Sequence, residues 1–351
     1  MYNFTLKTLK VFSPEIAHNI TIKLLKHFPI KTNSFEDPIL SQHLFGLDFI
    51  NPIGLAAGFD KNAEVIKPMF ALGFGFLEIG TVTPLAQPGN PKPRVYRINN
   101  EKAVINHLGF NNKGVKKIKK NLLKFRKNFF DNKIIGVNIG KNKNTIDANT
   151  DYLVGLEHLG NLASYITINI SSPNTEGLRD LQQRDNIEKL IKKINKKKSQ
   201  IEDLNKKPIL IKISPDLNDD QLRDIALISL ANNIDGLILT NTTTSRPKYL
   251  DQKFQDIKGG LSGEPLFSLS NIVIKKMYGL TNGQIPIIGV GGISSGSDCY
   301  EKIKSGASLL QIYTALIYSG PNLIFKIKNE LVDLIKTDGY KSISEVIGKS
   351  V

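Results

Sequence analysis

From about residue 50 the chain alternates short, almost wholly apolar runs with longer segments whose apolar residues recur every three or four positions. The runs read as strands over 52–58, 74–83, 134–140, 165–172, 208–215, 236–243, 286–292 and 309–317. Runs such as IIGVNIG, PILIKIS and PIIGVGG are apolar at successive positions. That is the pattern of strands buried on both faces, so the sheet is read as parallel and the intervals as crossover helices. Among them, Ile118, Leu122 and Leu123, and then Ile187, Leu190 and Ile194, mark two amphipathic helices. Eight such strands predict an α/β protein of the closed (β/α)8 TIM-barrel type. An open doubly wound sheet would carry a G-x-G-x-x-G turn after its first strand, and none is present.

The first 30 residues follow a different rhythm. Phe4, Leu9 and Phe12, then Ile16, Ile20, Leu24 and Phe28, recur among Lys7, Lys10, Lys23 and Lys26. Ser13 before Pro14 predicts a helix start, with the hydroxyl as cap and proline in the first turn. Two short amphipathic helices are expected. Their apolar faces could either pack on the main body or lie on a membrane surface. The chain is thus expected to divide into an N-terminal helical segment, 1–40, and a catalytic barrel, 41–351.

Almost every predicted strand closes on a group that a purely structural strand has no reason to carry. Gly58, Asp60 and Lys61 follow the first; Glu78, Thr81 and Thr83 close the second; Asn138 and Lys141 the third. Asn169, Ser171, Ser172 and Asn174 close the fourth, Lys212 the fifth, and Thr240, Asn241 and Thr242 the sixth. Gly291 and Gly292 close the seventh, Tyr313 and Thr314 the eighth. Any one of these residues suits a turn or cap, but a barrel gathers all eight strand ends on one face, where barrel active sites lie.

Composition narrows the chemistry. The 351 residues are 40% hydrophobic and 23% charged, enough for a large core. One cysteine, Cys299, excludes a disulfide framework and a cysteine-cluster zinc site, and suits a reducing compartment. The net charge of +15 raises the idea of a nucleic-acid partner. The lysines concentrate on the two amphipathic helices, however, as solvated faces, and no nucleic-acid-binding motif accompanies them. No stretch is apolar for long enough to span a membrane. The histidines (His18, His27, His43, His107 and His158) lie away from the predicted strand ends, and no carboxylates cluster there, so a metal site is not expected. Lysines beside neutral amides suit a flat, carbonyl-rich anion. Glycines after the late strands suit a phosphate, whose oxygens bare backbone N–H groups can approach before a helix opening at Ser294–Ser297.

The segments GLAAGFDKN (54–62), EIGTVTPLAQPGNPKPR (78–94), INHLGFNNKG (105–114), VNIGKN (137–142), INISSPNT (168–175), KISPDL (212–217), TNTT (240–243), GGLSGEPL (259–266), GVGGISS (289–295) and QIYTALIY (311–318) resemble dihydroorotate dehydrogenase. The resemblance spans nearly the whole chain. It selects the membrane-associated, quinone-dependent class 2, which has an N-terminal helix pair and serine where the cytosolic class has a catalytic cysteine.

The resemblance implies oxidation of dihydroorotate to orotate in pyrimidine synthesis. One FMN per chain takes a hydride from C6, a base removes a proton from C5, and a quinone is the electron acceptor. It assigns Ser172 as the base. It assigns Lys61, Asn106, His107, Leu108, Gly109, Phe110, Asn169, Asn174, Asn241 and Thr242 to the substrate. It assigns Ala57, Gly58, Phe59, Asp60, Lys61, Thr81, Asn138, Asn169, Lys212, Thr240, Gly263, Gly292, Tyr313 and Thr314 to FMN, and no residue to a metal. It further implies a peripheral protein, expected to be a monomer on the cytoplasmic side of the inner membrane, with quinone and lipid as partners and no nucleic acid. His107 departs from the family, which usually has arginine there. Two alternatives are another FMN barrel oxidoreductase, which would need a histidine base, and a basic nucleic-acid binder.

Overall fold

The computed structural model describes residues 11–28, 35–128 and 133–351. All eight strands form: β1 Ile53–Leu55, β2 Phe76–Val82, β3 Ile135–Ile139, β4 Tyr165–Asn169, β5 Ile209–Ile213, β6 Gly236–Leu239, β7 Ile287–Val290 and β8 Leu309–Ile312. Each lies parallel to its chain neighbour, and β8 closes on β1 to complete a (β/α)8 barrel. The eighth strand is shorter than the expected 309–317. Tyr313 leaves the ladder and a short helix, Thr314–Ser319, takes over, a change that an unbroken apolar run does not reveal.

Side chains alternate across each strand, and this sorts the core. Leu77, Ile79, Ile166, Ile168, Ile209, Ile211 and Ile213 belong to the layer shared with the outer helices. Phe76, Tyr165, Leu210, Ile238, Ile288 and Leu309 form a separate cluster inside the barrel. There the aromatic rings occupy the space that two glycines leave: a Cβ on Gly54 would lie 2.3 Å from the Phe76 ring, and one on Gly136 2.1 Å from Tyr165. A hairpin of Gln42–Leu44 and Leu47–Phe49 closes the lower end, with Phe49 set edge-on to Phe76 at 5.3 Å. Above this apolar plug, Glu78, Asn138, Thr167, Lys212 and Gln311 are all buried, so the barrel turns polar toward its upper end. Glu78 sits mid-strand in that layer, not at the strand end that the sequence pattern predicts.

The two basic helices are Gly114–Asn128 and Arg184–Ser199. Ile118, Leu122, Ile187, Leu190 and Ile194 are buried as expected, whereas Leu123 is half-exposed. Of the N-terminal pair, helix α1 (Pro14–His27) is described, and the residues of the predicted first helix before Val11 lie outside the described residues. Pro14 takes the first turn as expected. The Ser13 hydroxyl makes no cap; its carbonyl instead accepts from the Ala17 N–H at 2.9 Å. Polar ties hold α1 to the body: Arg94 donates to Glu15 at 2.7 Å and Lys26 pairs with Glu64 at 2.7 Å. A three-stranded antiparallel sheet of Val95–Ile98, Ala103–Asn106 and Gly260–Gly263 stands over the barrel mouth. Its strands, four residues each, are too short to show a periodicity in the sequence.

Candidate active site at the barrel mouth

The upper ends of the strands are joined by one hydrogen-bonded array. Asn241 Nδ2 donates to Ser171 Oγ at 2.9 Å, and Ser171 Oγ donates to Asn169 Oδ1 at 2.9 Å. Asn169 Nδ2 donates to Thr81 Oγ1 at 2.9 Å, which donates to Asn138 Oδ1 at 2.6 Å. Asn138 Nδ2 then donates to Glu78 Oε1 at 2.8 Å. The other Glu78 oxygen accepts from Tyr165 and Thr167, each at 3.1 Å, and from Gln311 at 2.8 Å. Four donors thus hold a fully buried carboxylate, which offsets much of its desolvation cost. The array fixes the amides in place before any ligand arrives, the preorganisation that a binding site needs.

Two lysines flank it. Lys212, 5% exposed, stands beside Asn169 in the β4–β5 register, and burial lowers its pKa, with Glu78 opposing that shift. Lys61, in the loop after β1, is brought down to about 8, chiefly by desolvation, with Glu15 acting to raise it. Among the described residues neither lysine has a carboxylate within ion-pair distance. Two such ammonium groups beside fixed amides are a donor set for an anionic, carbonyl-bearing ligand.

The fourth strand leads into the loop that carries Ser172. This serine is 5% exposed, and its Oγ accepts from the Asn174 N–H at 3.2 Å. Asn174 reaches across the mouth, donating to Asn106 Oδ1 at 3.0 Å, while its own Oδ1 lies 3.2 Å from His107 Nδ1. His107 therefore reaches the mouth from the small sheet and not from a barrel strand. Asn90 donates to the carbonyls of Asn174 and His107 at 3.0 and 3.2 Å, and its N–H donates to that of Leu108 at 3.0 Å. Gln87 holds the Gly109 and Phe110 carbonyls at 3.1 and 3.2 Å. Gln87 Oε1 also accepts from the Asn142 side chain at 2.8 Å and from the Lys143 N–H at 3.0 Å. The sequence pattern singles out neither Asn90 nor Gln87, because both lie in the loop after β2, away from any strand end, and tie one loop to another. Nor does it single out Thr175, which is buried and whose Oγ1 has no hydrogen-bond partner. Thr242 Oγ1 lies 3.4 Å from Asn241 Oδ1, which the Thr242 N–H approaches to 2.7 Å.

On the opposite side of the mouth, Gly263, Gly291 and Gly292 have φ of 99, 125 and 75°, a region that other residues rarely enter. A Cβ on Gly292 would stand 2.7 Å from the Phe267 nitrogen, so only bare backbone fits. Thr314 Oγ1 donates to Ser262 Oγ at 2.9 Å and ties β8 to the small sheet; the Thr240 hydroxyl donates to the Asn241 carbonyl at 3.0 Å. Ser295 caps the following helix, Gly296–Lys304, accepting from the Asp298 N–H at 3.1 Å. These glycine turns bring backbone amides to the rim, a cradle suited to phosphate oxygens. Ala57 and Gly58 line the mouth after β1, and Phe59 packs edge-on to Tyr313 at 5.7 Å. The Asp60 carboxylate turns away, accepting from the Glu64 and Val65 N–H groups at 2.8 Å each; burial raises its pKa against those bonds.

The fold and this rim define a (β/α)8-barrel enzyme whose mouth is suited to a flat anionic substrate beside a phosphate-bearing group. Residues 39–335 match the profile of the family described as dihydroorotate dehydrogenase, and the chain belongs to that family. The dihydroorotate dehydrogenase (quinone) of Xanthobacter autotrophicus is 45% identical, over 100% of this chain and 99% of the relative. The mitochondrial dihydroorotate dehydrogenase (quinone) of Mus musculus is 43% identical, over 97% and 87%. A solved structure of dihydroorotate dehydrogenase from Eimeria tenella in complex with ferulenol matches with a TM-score of 0.91 at 39% identity, covering 96% of this chain and 95% of that one.

Proposed function

We infer that this chain oxidises dihydroorotate to orotate with a quinone as electron acceptor. The observation that carries the reading is the preorganised amide array with the buried Lys212 beside it, Lys61 in the loop after β1 and Ser172 at its edge. We assign FMN as the cofactor. The residues fit it: Gly263, Gly292 and Thr314 would hold its phosphate, and Thr81, Asn138, Asn169 and Lys212 its ring edges. When bound, FMN supplies a two-electron acceptor for the hydride that leaves C6 of the substrate.

Ser172 would take the C5 proton while Asn106, Asn174 and Asn241 hold the substrate's carbonyl and amide edges and Lys61 its carboxylate. A serine hydroxyl is a weak base, so its own proton needs an onward acceptor. The unpartnered Thr175 hydroxyl, three residues along the same loop, supports that route. Ser172, Asn174 and Thr175 are buried, which keeps bulk water from competing for the serine. The direct test is a purified holoprotein given dihydroorotate with a water-soluble quinone, NAD or fumarate as separate acceptors. Flavin absorbance with turnover on quinone alone is expected; turnover on NAD or fumarate in its place would overturn the acceptor assignment.

The N-terminal segment supports quinone access from a membrane surface. No described helix is long and apolar enough to cross a membrane. Helix α1 turns Ile22 and Leu25 toward the body and leaves Phe12, Ile16, Leu24 and Phe28 exposed. Inside, His18 meets Phe59 edge-on at 5.5 Å, and Phe59 meets Tyr313, so a line of rings runs from α1 to the mouth. Burial pushes the His18 pKa to about 3, so the imidazole is neutral at ordinary pH and suits an apolar path. We propose peripheral attachment of a monomer to the cytoplasmic side of the inner membrane through this face.

Deleting residues 1–28 should spare dihydroorotate oxidation with a soluble quinone. Turnover with a long-chain quinone should fall several-fold, and liposome flotation should weaken. Equal long-chain turnover and flotation by the folded truncation would show that α1 only packs. The cut stops short of residue 40 because Glu36 pairs with the buried Lys328 at 2.8 Å and Leu40 lies in the barrel core.

A further inference from the structure

We propose that Arg179, held by Asp216, is a positioning residue that seats the Ser172 loop against the barrel rim. After Asn169 the chain leaves the β4 ladder, so strand pairing no longer sets where Ser172 stands. The loop returns at a short helical turn, Arg179–Gln182, and the guanidinium there reaches three strand ends at once. Nε donates to the Ser171 carbonyl at 3.2 Å, Nη1 to Asp216 Oδ2 at 2.9 Å and Nη2 to the Thr242 carbonyl at 3.2 Å. These acceptors belong to the ends of β4, β5 and β6. The Ser171 carbonyl forms the peptide bond to Ser172 itself, so the Arg179 contact fixes the plane from which the serine side chain departs.

Asp216 is held in turn. Its carboxylate accepts from the Thr244 N–H at 2.9 Å, from the Thr244 hydroxyl at 3.1 Å and from the Thr243 hydroxyl. A second tie follows from the same turn: Gln182 Oε1 accepts from the Ser214 N–H at 2.8 Å. The Arg179 and Asp216 side chains are 25% and 15% exposed, sheltered enough that a charge-assisted fork holds one geometry. A lysine in its place would bring one point charge and could not span three acceptors in a plane. Arg179 itself touches neither substrate nor cofactor residues other than through backbone carbonyls, so its effect on the reaction passes through Ser172 and Thr242. A misplacement of about 1 Å in a catalytic group can cost roughly 100-fold in rate.

The inference rests on the assignment of Ser172 as the base, and a double-mutant cycle separates the two. Holoenzymes carrying Arg179→Ala, Arg179→Lys, Ser172→Ala and the double change Ser172→Ala with Arg179→Ala are mixed rapidly with dihydroorotate, and flavin bleaching is followed. Arg184→Ala, which removes only the surface pair with Asp224 at 2.7 Å, is the control expected to match wild type. Arg179→Ala should slow bleaching by about 10- to 100-fold, with Arg179→Lys intermediate and the flavin reduction potential unchanged. Once Ser172→Ala is in place, the same change should cost little, because residues that act as a unit are non-additive. Hydrogen exchange over 171–178 should quicken in Arg179→Ala while β1 and β8 keep their protection.

Wild-type bleaching by Arg179→Ala, or an equal fold-loss in the wild-type and Ser172→Ala backgrounds, would overturn the positioning role. Undiminished bleaching by Ser172→Ala alone would instead overturn the base assignment. If Arg179→Ala fails to fold, Arg179→Lys and Asp216→Asn carry the same cycle with the same criteria.

Discussion

Ser172→Ala should bind flavin and dihydroorotate normally yet bleach the flavin about 100- to 10,000-fold more slowly, the loss that accompanies removal of a general base. The structure makes this a clean substitution. Ser172 is 5% exposed, and its Oγ accepts from the backbone N–H of Asn174 at 3.2 Å, a bond whose loss strands no other side chain. Asn174 remains held by Asn106 and Asn90, so the amides that face the substrate keep their places. Binding should therefore change little while the chemical step collapses, a lowered kcat without a matching rise in the dissociation constant. Rapid mixing under anaerobic conditions measures the step directly, and orotate titration measures binding separately. Near-wild-type bleaching would remove Ser172 from the role and leave the proton to another group in the mouth.

The barrel is legible in the sequence because each parallel strand is buried on both faces and so writes an unbroken apolar run, ended by the polar group that reaches the rim. Those endings also make most of the candidate site legible, from Lys61 through Asn169 to Thr314. Illegible parts share a physical cause. Gln87 and Asn90 tie loops to one another away from any strand end, and the small sheet's strands of four residues fall below any detectable period. Glu78 stands out in the sequence but its depth does not, because alternation tells which face a residue takes and not how far along the axis it stands. Tyr313 shows the same limit, since an apolar run continues smoothly from β8 into a helix. His107 follows no barrel strand, so the pattern of strand ends passes over it; a separate sheet delivers it to the mouth beside Asn174.

Lys212→Ala should bind flavin less tightly and make it harder to reduce. A two-electron reduced flavin carries negative charge at its N1 and O2 edge, and a cation in a low-dielectric barrel stabilises that charge more than it stabilises the neutral oxidised ring. Removing one preorganised electrostatic donor of this kind costs about 3 kcal/mol, which lowers a two-electron potential by roughly 65 mV. The fold should survive. Glu78, the carboxylate that shares the barrel interior with Lys212, keeps its four donors from Asn138, Tyr165, Thr167 and Gln311, so it is not left bare. The pH dependence gives a second reading of the same charge. Burial lowers the Lys212 pKa, with Glu78 opposing, so protonated lysine favours reduced flavin at low pH and that preference is lost as pH rises through the lowered value. The wild-type potential should therefore fall more steeply with pH in that range than the potential of Lys212→Ala, while Lys212→Arg, whose charge does not titrate, should lack the extra slope and keep the higher potential. Redox titration of the three proteins against a dye of known potential provides the measurement. An unchanged potential in a folded, flavin-loaded Lys212→Ala would assign the lysine to packing beside Asn169 and place the stabilising charge elsewhere on the rim.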